Sequence, residues 1–424
     1  MSSAVELTVR PCPECGTEVR ADRQFVAWCT GCGWNVDPEE PEEPVGRLVA
    51  RRRRLAREHG ERLLAEVSSG ASLLPRRDAA GVLAYALALA VHAVTAVLLV
   101  AGVLLVVLGW GSALPALGLL LLVLAWVLRP RLDRLPSDTP VLLRRDAPEL
   151  FALIDEVAAA VGTTPVHAVA VTADFNAAVT TYGLRQRRLL ILGLALWEPA
   201  SPQVRLALLG HELGHYANGD TRQGIVLSNA LRSLANWYYL LTGEEDPTYL
   251  ERFANLAYAG PRLLVGMVLR LLDRLTLRTT QRGEYLADAF AARVGSTEAA
   301  LALMDRLLIG RVAESFLRRE ANTPLVRKAG TGSRDDRWQG LWERLAAQLE
   351  SVPDTEYERL RRVSVLRAHS VDSTHPPTHL RRVCLGVGAP LDAVVQPPAL
   401  REAAITGELA AAKERIARAI VKGE

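Results

Sequence analysis

Charge is absent from one long stretch of this chain: between Ala79 and Leu128 there is no Asp, Glu, Lys or Arg. Lysine is almost missing throughout, with only Lys328, Lys413 and Lys422 among 50 basic residues. That imbalance reads as coding bias toward Arg, not as chemistry. Cysteine is scarce, and five in 424 residues are too few for a disulfide-stapled scaffold. The first 35 residues hold no apolar core segment, so no secretory signal is expected. A net charge of +3 is too small to imply a nucleic-acid partner, and none is expected. No internal repeat is visible. Apolar residues, by contrast, are abundant: 50% hydrophobic against 23% charged excludes a disordered chain and points toward a membrane. The length suffices for two or three folded units.

A single span needs about 20 apolar residues, so the uncharged run is long enough for two. Gly109, Gly111 and Pro115 supply a break, which predicts a hairpin running out over 81–108 and back over 113–129. The second limb is short, and Arg129 and Arg131 can snorkel beside it. His92 in the first limb is expected to be packed and hydrogen-bonded. Arg76 and Arg77 precede the hairpin, while Arg129, Arg131 and Arg134 follow it. This places both termini on the cytoplasmic side of a multi-pass cell-membrane protein, where reduced thiols are free to bind metal. Upstream, 37–44 is an acidic, Pro-rich linker, and 48–67 is a basic juxtamembrane helix with a solvated face. Two further apolar stretches, 224–242 with Arg232 and 254–272 with Arg262 and Arg270, are either a second hairpin or amphipathic helices. A central Arg costs roughly 2.5–3.5 kcal/mol in a span, which leaves the choice open.

Beyond the hairpin the pattern is mixed. Helix is expected over 147–161 and 201–217, strand over 165–172 and 187–193, and mostly helix over 297–350 and 398–421. In the second helix Ser201 can cap, Pro202 suits the first position, and Leu206, Leu209 and Leu213 share one face. That helix carries His211-Glu212-Leu213-Gly214-His215. Residues i and i+4 share a helical face, so both imidazoles can reach one Zn²⁺, and Glu212 can hold a water on it and take its proton. A catalytic zinc wants a third protein ligand and an open position. Glu284 is the best candidate, with Asp288 one turn on to accept a hydrogen bond from a ligand imidazole and fix its tautomer. His375, followed by Pro376 and Pro377, and Arg381 are candidate positive donors to an oxyanion. His379 is a rival ligand candidate for which a surface role is expected, while His59, His167 and His369 have no visible constellation.

These three pieces in this order, together with the hairpin and with Phe175-Asn176 before the zinc helix, resemble the HtpX and CAAX-prenyl-protease family of membrane zinc metallopeptidases. The resemblance covers about 140–385. It implies an α+β, mainly helical fold with a gluzincin-type domain, placed here over 135–395; the apolar stretches are expected to form a helical insert at about 222–279 within it, and the tail a C-terminal helix over 396–424. It also implies peptide-bond hydrolysis at the cytoplasmic face, with protein or peptide substrates and membrane protein quality control as a role. By the same resemblance His211, His215 and Glu284 bind zinc and Glu212 is the general base. His375 and Arg381 then stabilise the tetrahedral intermediate, and Asn176 holds substrate backbone beside an edge strand.

The module at 1–36 lies outside that resemblance. Cys12 and Cys15, then Cys29 and Cys32, form a C-x2-C pair repeated after 13 residues. Four thiolates so spaced close a structural zinc site, with Gly16 and Gly33 easing the turns. Phe25, Trp28 and Trp34 are expected to fill the core of this independent ribbon, whose partner is left open. Cys384 is expected to be a buried apolar residue. Two other classes compete with the endopeptidase. One is a membrane-tethered ribbon scaffold with an inactive protease-like domain. The other is an aminopeptidase, for which no separate amine-anchoring acidic motif is present.

Overall fold

The computed structural model describes residues 7–22, 24–38, 47–69, 79–131, 133–217, 223–242, 249–323, 336–367, 376–396 and 398–422. His369 and His375 lie outside them. The chain forms two compact units. The first comprises Met1–Leu73, Arg134–Ala217 and Gly283–Glu424, the second Leu74–Asp133 and Asn218–Arg282. The two units interleave along the chain. The uncharged run and the apolar insert, far apart in sequence, share one unit because each has an apolar face that the other covers.

From the N-terminus the elements are β1 (Leu7–Pro11), β2 (Glu18–Asp22), α1 (Arg47–Ser68), α2 (Ala79–Leu108), α3 (Leu114–Leu128), β3 (Val141–Leu142), α4 (Pro148–Val161) and β4 (Ala168–Thr172). There follow β5 (Ala177–Tyr182), β6 (Arg187–Gly193), α5 (Leu194–Trp197), α6 (Pro202–Ala217), α7 (Gln223–Leu240) and α8 (Tyr249–Gly295). The chain continues through α9 (Thr297–Leu308), α10 (Gly310–Asn322), α11 (Leu341–Glu350), α12 (Asp354–Arg367), α13 (Thr378–Leu385) and α14 (Ala399–Lys422). The architecture is mainly helical.

The first unit is built on a four-stranded sheet in the order β3-β4-β6-β5. β4 runs parallel to β6, while β3 and β5 are antiparallel to their neighbours. β4 is almost wholly apolar and covered on both faces, as its unbroken Ala-Val-Ala-Val run requires. Val169, Val171, Leu190 and Leu192 face the main core, which they share with Leu150, Phe151 and Ile154 of α4. Leu206, Leu209 and Leu213 of α6 join the same core, each with no exposed surface. Burying one such side chain contributes roughly 1.5–3 kcal/mol, so α6 is held rigidly where its polar residues are needed. α4 ends as its sequence predicts, on Gly162 at φ +81°, whose N–H reaches the Ala158 carbonyl. α14, expected as a separate terminal helix, contributes Ile405, Leu409 and Ile416 to this core. β5 is the edge strand on the side away from β3.

The cysteine module also belongs to the first unit. β1 and β2 pair as an antiparallel hairpin. Gly16 and Gly33 take φ of +72° and +79°, and each donates its N–H to the first cysteine of its pair, Cys12 and Cys29, at 2.9 Å. The core of the ribbon holds Cys12, Val19 and Cys29 with Trp34 against them. Phe25 and Trp28 do not fill it. Phe25 packs on the main core, and Trp28 donates its indole N–H to the Thr355 carbonyl of α12 at 3.2 Å. Arg362 stacks over the Trp28 ring at 4.9 Å and donates to the Thr30 carbonyl. Arg359 donates to the Val36 carbonyl, and Arg367 makes a paired contact with Asp37. Two aromatics exceed what so small a hairpin can enclose, so they seat it on its neighbour. The ribbon is therefore docked, not independent. α1, expected to be a solvated juxtamembrane helix, likewise buries Gly60 and Leu63 against Tyr285 and Leu380.

In the second unit α2 packs on α3 through Gly102 and Gly118. A Cβ on Gly118 would stand 2.7 Å from the Gly102 carbonyl oxygen. Ala84, Ala88 and Val91 of α2 form a small core with Ala230, Leu234 and Trp237 of α7 and Leu272 of α8. His92 Nε2 lies 3.1 Å from the Val226 carbonyl, the packed role expected of it. Trp237 donates to the Leu128 carbonyl at 3.0 Å. Among the described residues one helix, α2, is long and apolar enough to cross a membrane, while α3 is apolar but only 15 residues long. The stretch expected at 254–272 is not a separate element. It is part of α8, 47 residues without interruption despite Pro261.

Candidate metal centre

α6 presents His211 and His215 one turn apart, as their spacing requires. Their Nε2 atoms are 3.3 Å apart, with the rings edge-on at 87°. Glu284, in the C-terminal third of α8, enters between them. Its two carboxylate oxygens lie 3.7 Å from His211 Nε2 and 3.7 Å from His215 Nε2. One donor atom from each of the three residues lies within 4.8 Å of the others, so together they could hold a metal ion. Tetrahedral ligands at about 2.0–2.1 Å from zinc stand roughly 3.3–3.4 Å from each other; the two imidazole nitrogens match this, and each carboxylate oxygen lies a few tenths of an ångström beyond it from its nearer histidine. His211 and Glu284 are buried, and His215 is half-buried. Glu212 is buried next to His211, with 7% of its surface exposed.

Small residues decide that α8 comes close enough. A Cβ on Gly214 would lie 3.1 Å from Ala287 Cα and from Phe290 Cδ2. One on Gly210 would lie 3.0 Å from the Phe290 carbonyl oxygen. Gly210 and Gly214 thus form a flat strip on α6 on which Ala287 and Ala291 of α8 rest. Sequence reasoning passed over these residues, although glycines four apart inside a helix were the available signal. Gly214→Val is expected to cost about 1–3 kcal/mol through overpacking and to displace Glu284. Metal analysis of the purified variant should then show loss of the ion held by the histidines. Unchanged metal content would show that the helix crossing does not set the site.

Asp288 sits one turn beyond Glu284 and is 1% exposed. Its Oδ1 lies 3.0 Å from His211 Nδ1. With Nδ1–H donated there, the Nε2 lone pair of His211 is directed toward Glu284. Arg381 on α13 grips the same carboxylate with two nitrogens, Nε to Oδ2 at 2.8 Å and Nη2 to Oδ1 at 2.6 Å. Burial pushes the Asp288 carboxyl up, but the Arg381 guanidinium outweighs it and holds the group well below the usual carboxylate range. Arg381 is 2% exposed. The role expected for it was donation to an oxyanion. In the structure Nε and Nη2 are committed to Asp288, and Nη2 also stands 3.8 Å from Glu284 Oε2. α13 itself is held from outside the site by Asp305 of α9, which accepts from Arg382 at 3.0 Å and from Arg361 of α12 at 2.9 and 2.7 Å. No local pattern could have shown this tie.

The remaining expected residues are more dispersed. His375 lies outside the described residues, and Pro376 and Pro377 after it are buried at the start of α13. Asn176 is exposed at the beginning of the edge strand β5, and its carbonyl accepts from Gly193 N at 3.0 Å. α6 lies under that strand, where Tyr216 donates its hydroxyl proton to the Thr180 carbonyl. His379 is half-buried and stands outside the His–His–Glu group. His167 accepts from the Arg188 N–H at 3.2 Å, a structural role. Burial raises the Cys384 thiol to about 11, in keeping with an inert apolar residue.

In the ribbon, Cys12, Cys15, Cys29 and Cys32 form a second possible metal group. The Cys12–Cys32 and Cys15–Cys29 sulfurs are each 3.6 Å apart. Four thiolates at about 2.3 Å from zinc would be roughly 3.8 Å apart, so this donor set also fits.

A helix bearing two histidines and a general-base candidate, with a second helix returning a glutamate, defines a metallopeptidase-like class of site. The chain belongs to Peptidase family M48, whose family model matches residues 144–384, more than half of it. It is 25% identical over 140 residues to the Protease HtpX of Pseudomonas putida strain GB-1 and 26% identical to that of strain W619. Each alignment covers 32% of this chain and 47% of the relative, so the chain spans about half the length of the curated relatives it matches. No solved structure matches.

Proposed function

We propose that this protein is a membrane-anchored, zinc-dependent endopeptidase of gluzincin type. The observation that carries the reading is the meeting of His211, His215 and Glu284 within 4.8 Å, with Glu212 buried beside them. These donors would hold a zinc ion, which when bound supplies Lewis acidity and a more acidic water. A peptide substrate adds as an extended strand along β5, with Asn176 at the start of that edge holding its backbone. Glu212 takes the proton of the attacking water and returns it to the leaving nitrogen. Asp288, fixed by Arg381, keeps His211 in one tautomer throughout. Donation to the developing oxyanion falls to His375.

The membrane reading draws on α2, on the apolar pair it makes with α3, and on exposed residues such as Val97, Leu108, Leu120 and Trp126. Water disfavours so large an apolar surface. The arginines that flank the pair favour a cytoplasmic catalytic unit, with membrane protein quality control as the role. Zinc counting on the detergent-purified full chain tests the assignment. Two zinc ions per chain are expected, and the double substitution Cys12→Ser/Cys15→Ser should leave one. A single zinc that this substitution removes would favour the ribbon scaffold and sink the enzyme.

A further inference from the structure

α7 and the first half of α8 border an open cleft of about 260 Å³ lined by Tyr238, Ala259, Arg262, Leu263 and Arg270. Arg262 and Arg270 lie two turns apart, with Gly266 between them. A Cβ on Gly266 would stand 3.1 Å from Tyr238 Cε2 and 3.3 Å from Arg270 Nη1. The glycine therefore leaves the space into which the Arg270 guanidinium folds. Elsewhere in this unit Arg232 is paired with Asp133. No carboxylate among the described residues pairs with Arg262 or Arg270.

Both guanidiniums stand on the 254–272 stretch of α8, whose other described side chains before Arg270 carry no charge. Around them Leu263, Leu264 and Met267 are 60%, 58% and 49% exposed, and Tyr239 on α7 is 79% exposed. A ligand that satisfies both features carries an anion at one end and hydrocarbon at the other. An acidic peptide would meet the arginines but leave the leucines in water. We infer that this cleft binds the phosphate of an anionic phospholipid, with Arg262 and Arg270 on the phosphate, Tyr238 at its side and the acyl chain along Leu263 and Met267. Basic pockets between helices at a bilayer surface bind headgroups in this way. The inference rests on the membrane reading above and adds a lipid-specific site to it.

The test uses full-length protein in detergent, titrated with short-chain phosphatidylglycerol, phosphatidylcholine and inorganic phosphate, with bound molecules counted by native mass spectrometry. Phosphatidylglycerol should be retained in preference to phosphatidylcholine. Arg262→Gln/Arg270→Gln should reduce that retention roughly tenfold, since each arginine near an anionic headgroup contributes several-fold. Arg252→Gln, exposed on the same helix but outside the cleft, should not. Gly266→Leu, which fills the cleft without removing charge, should reproduce the loss. Helix content by circular dichroism reports that each variant is folded. Equal retention of both lipids, or no effect of the double substitution, overturns the proposal. So does inorganic phosphate binding as tightly as the lipid, or an acidic peptide binding through the same two arginines while the lipid does not. Carbonate extraction of membranes separates the two readings. Release of the protein overturns the membrane reading and this site with it, whereas retention with headgroup-blind binding overturns the site alone.

Discussion

Glu212→Gln is expected to lower cleavage of an unfolded protein substrate by about 10²–10⁴-fold or more, with two zinc ions per chain retained. Gln matches Glu in size and can still orient a water by hydrogen bonding, but it cannot accept a proton. The residue is 7% exposed and lies next to His211 along α6, and the isosteric change preserves its packing there. Its position beside the His–His–Glu group, outside the ligand set, makes metal binding and proton transfer separable. Cleavage rate and zinc content measured on the same preparation are therefore sufficient. Wild-type turnover by the variant would end the proposed mechanism, and loss of zinc with activity would make Glu212 a contributor to metal binding.

Arg381→Met is expected to destabilise the first unit by about 3–5 kcal/mol, because it leaves the Asp288 carboxylate buried without its counter-charge. Chemical denaturation measures this. Asp288→Leu/Arg381→Met removes both charges and is expected to recover most of that loss, since a buried pair gains little over apolar groups of similar size. Activity should stay low in the double variant, because His211 then has no acceptor for its Nδ1 proton. A metal-mediated hydrolase loses about 10–100-fold when such an acceptor is removed. If Arg381→Met instead kept its stability and lost only turnover, the guanidinium would be acting on substrate as an oxyanion donor, and the orienting role would be wrong.

The parts of this site that were legible in sequence are those whose geometry is local. His211 and His215 share a face because a helix repeats every 3.6 residues, and Glu284 and Asp288 do so for the same reason. The cysteine pairs and their positive-φ glycines are equally local. The contacts that bring these pieces together were not legible. Gly210 and Gly214 meet Ala287 and Ala291 across the α6–α8 crossing. Arg381 reaches Asp288 across 93 residues. Trp28 was read as ribbon core, yet its indole bonds to Thr355, 327 residues away. Nothing in a hydrophobic pattern says which apolar surface an aromatic will cover.

By itself, then, the amino-acid sequence determined the helix that carries His211, Glu212 and His215, the cysteine ribbon, the uncharged pair of helices and the one-turn spacing of Glu284 and Asp288. Each depends on periodicity or spacing over a few turns, and backbone geometry converts these directly into side-chain position. Only the tertiary structure decided that α8 runs unbroken, that α1 and the ribbon dock on the peptidase unit, and that Arg381 grips Asp288. Those outcomes depend on which surfaces exclude water from one another, and that is a property of the assembled chain, not of any segment in it.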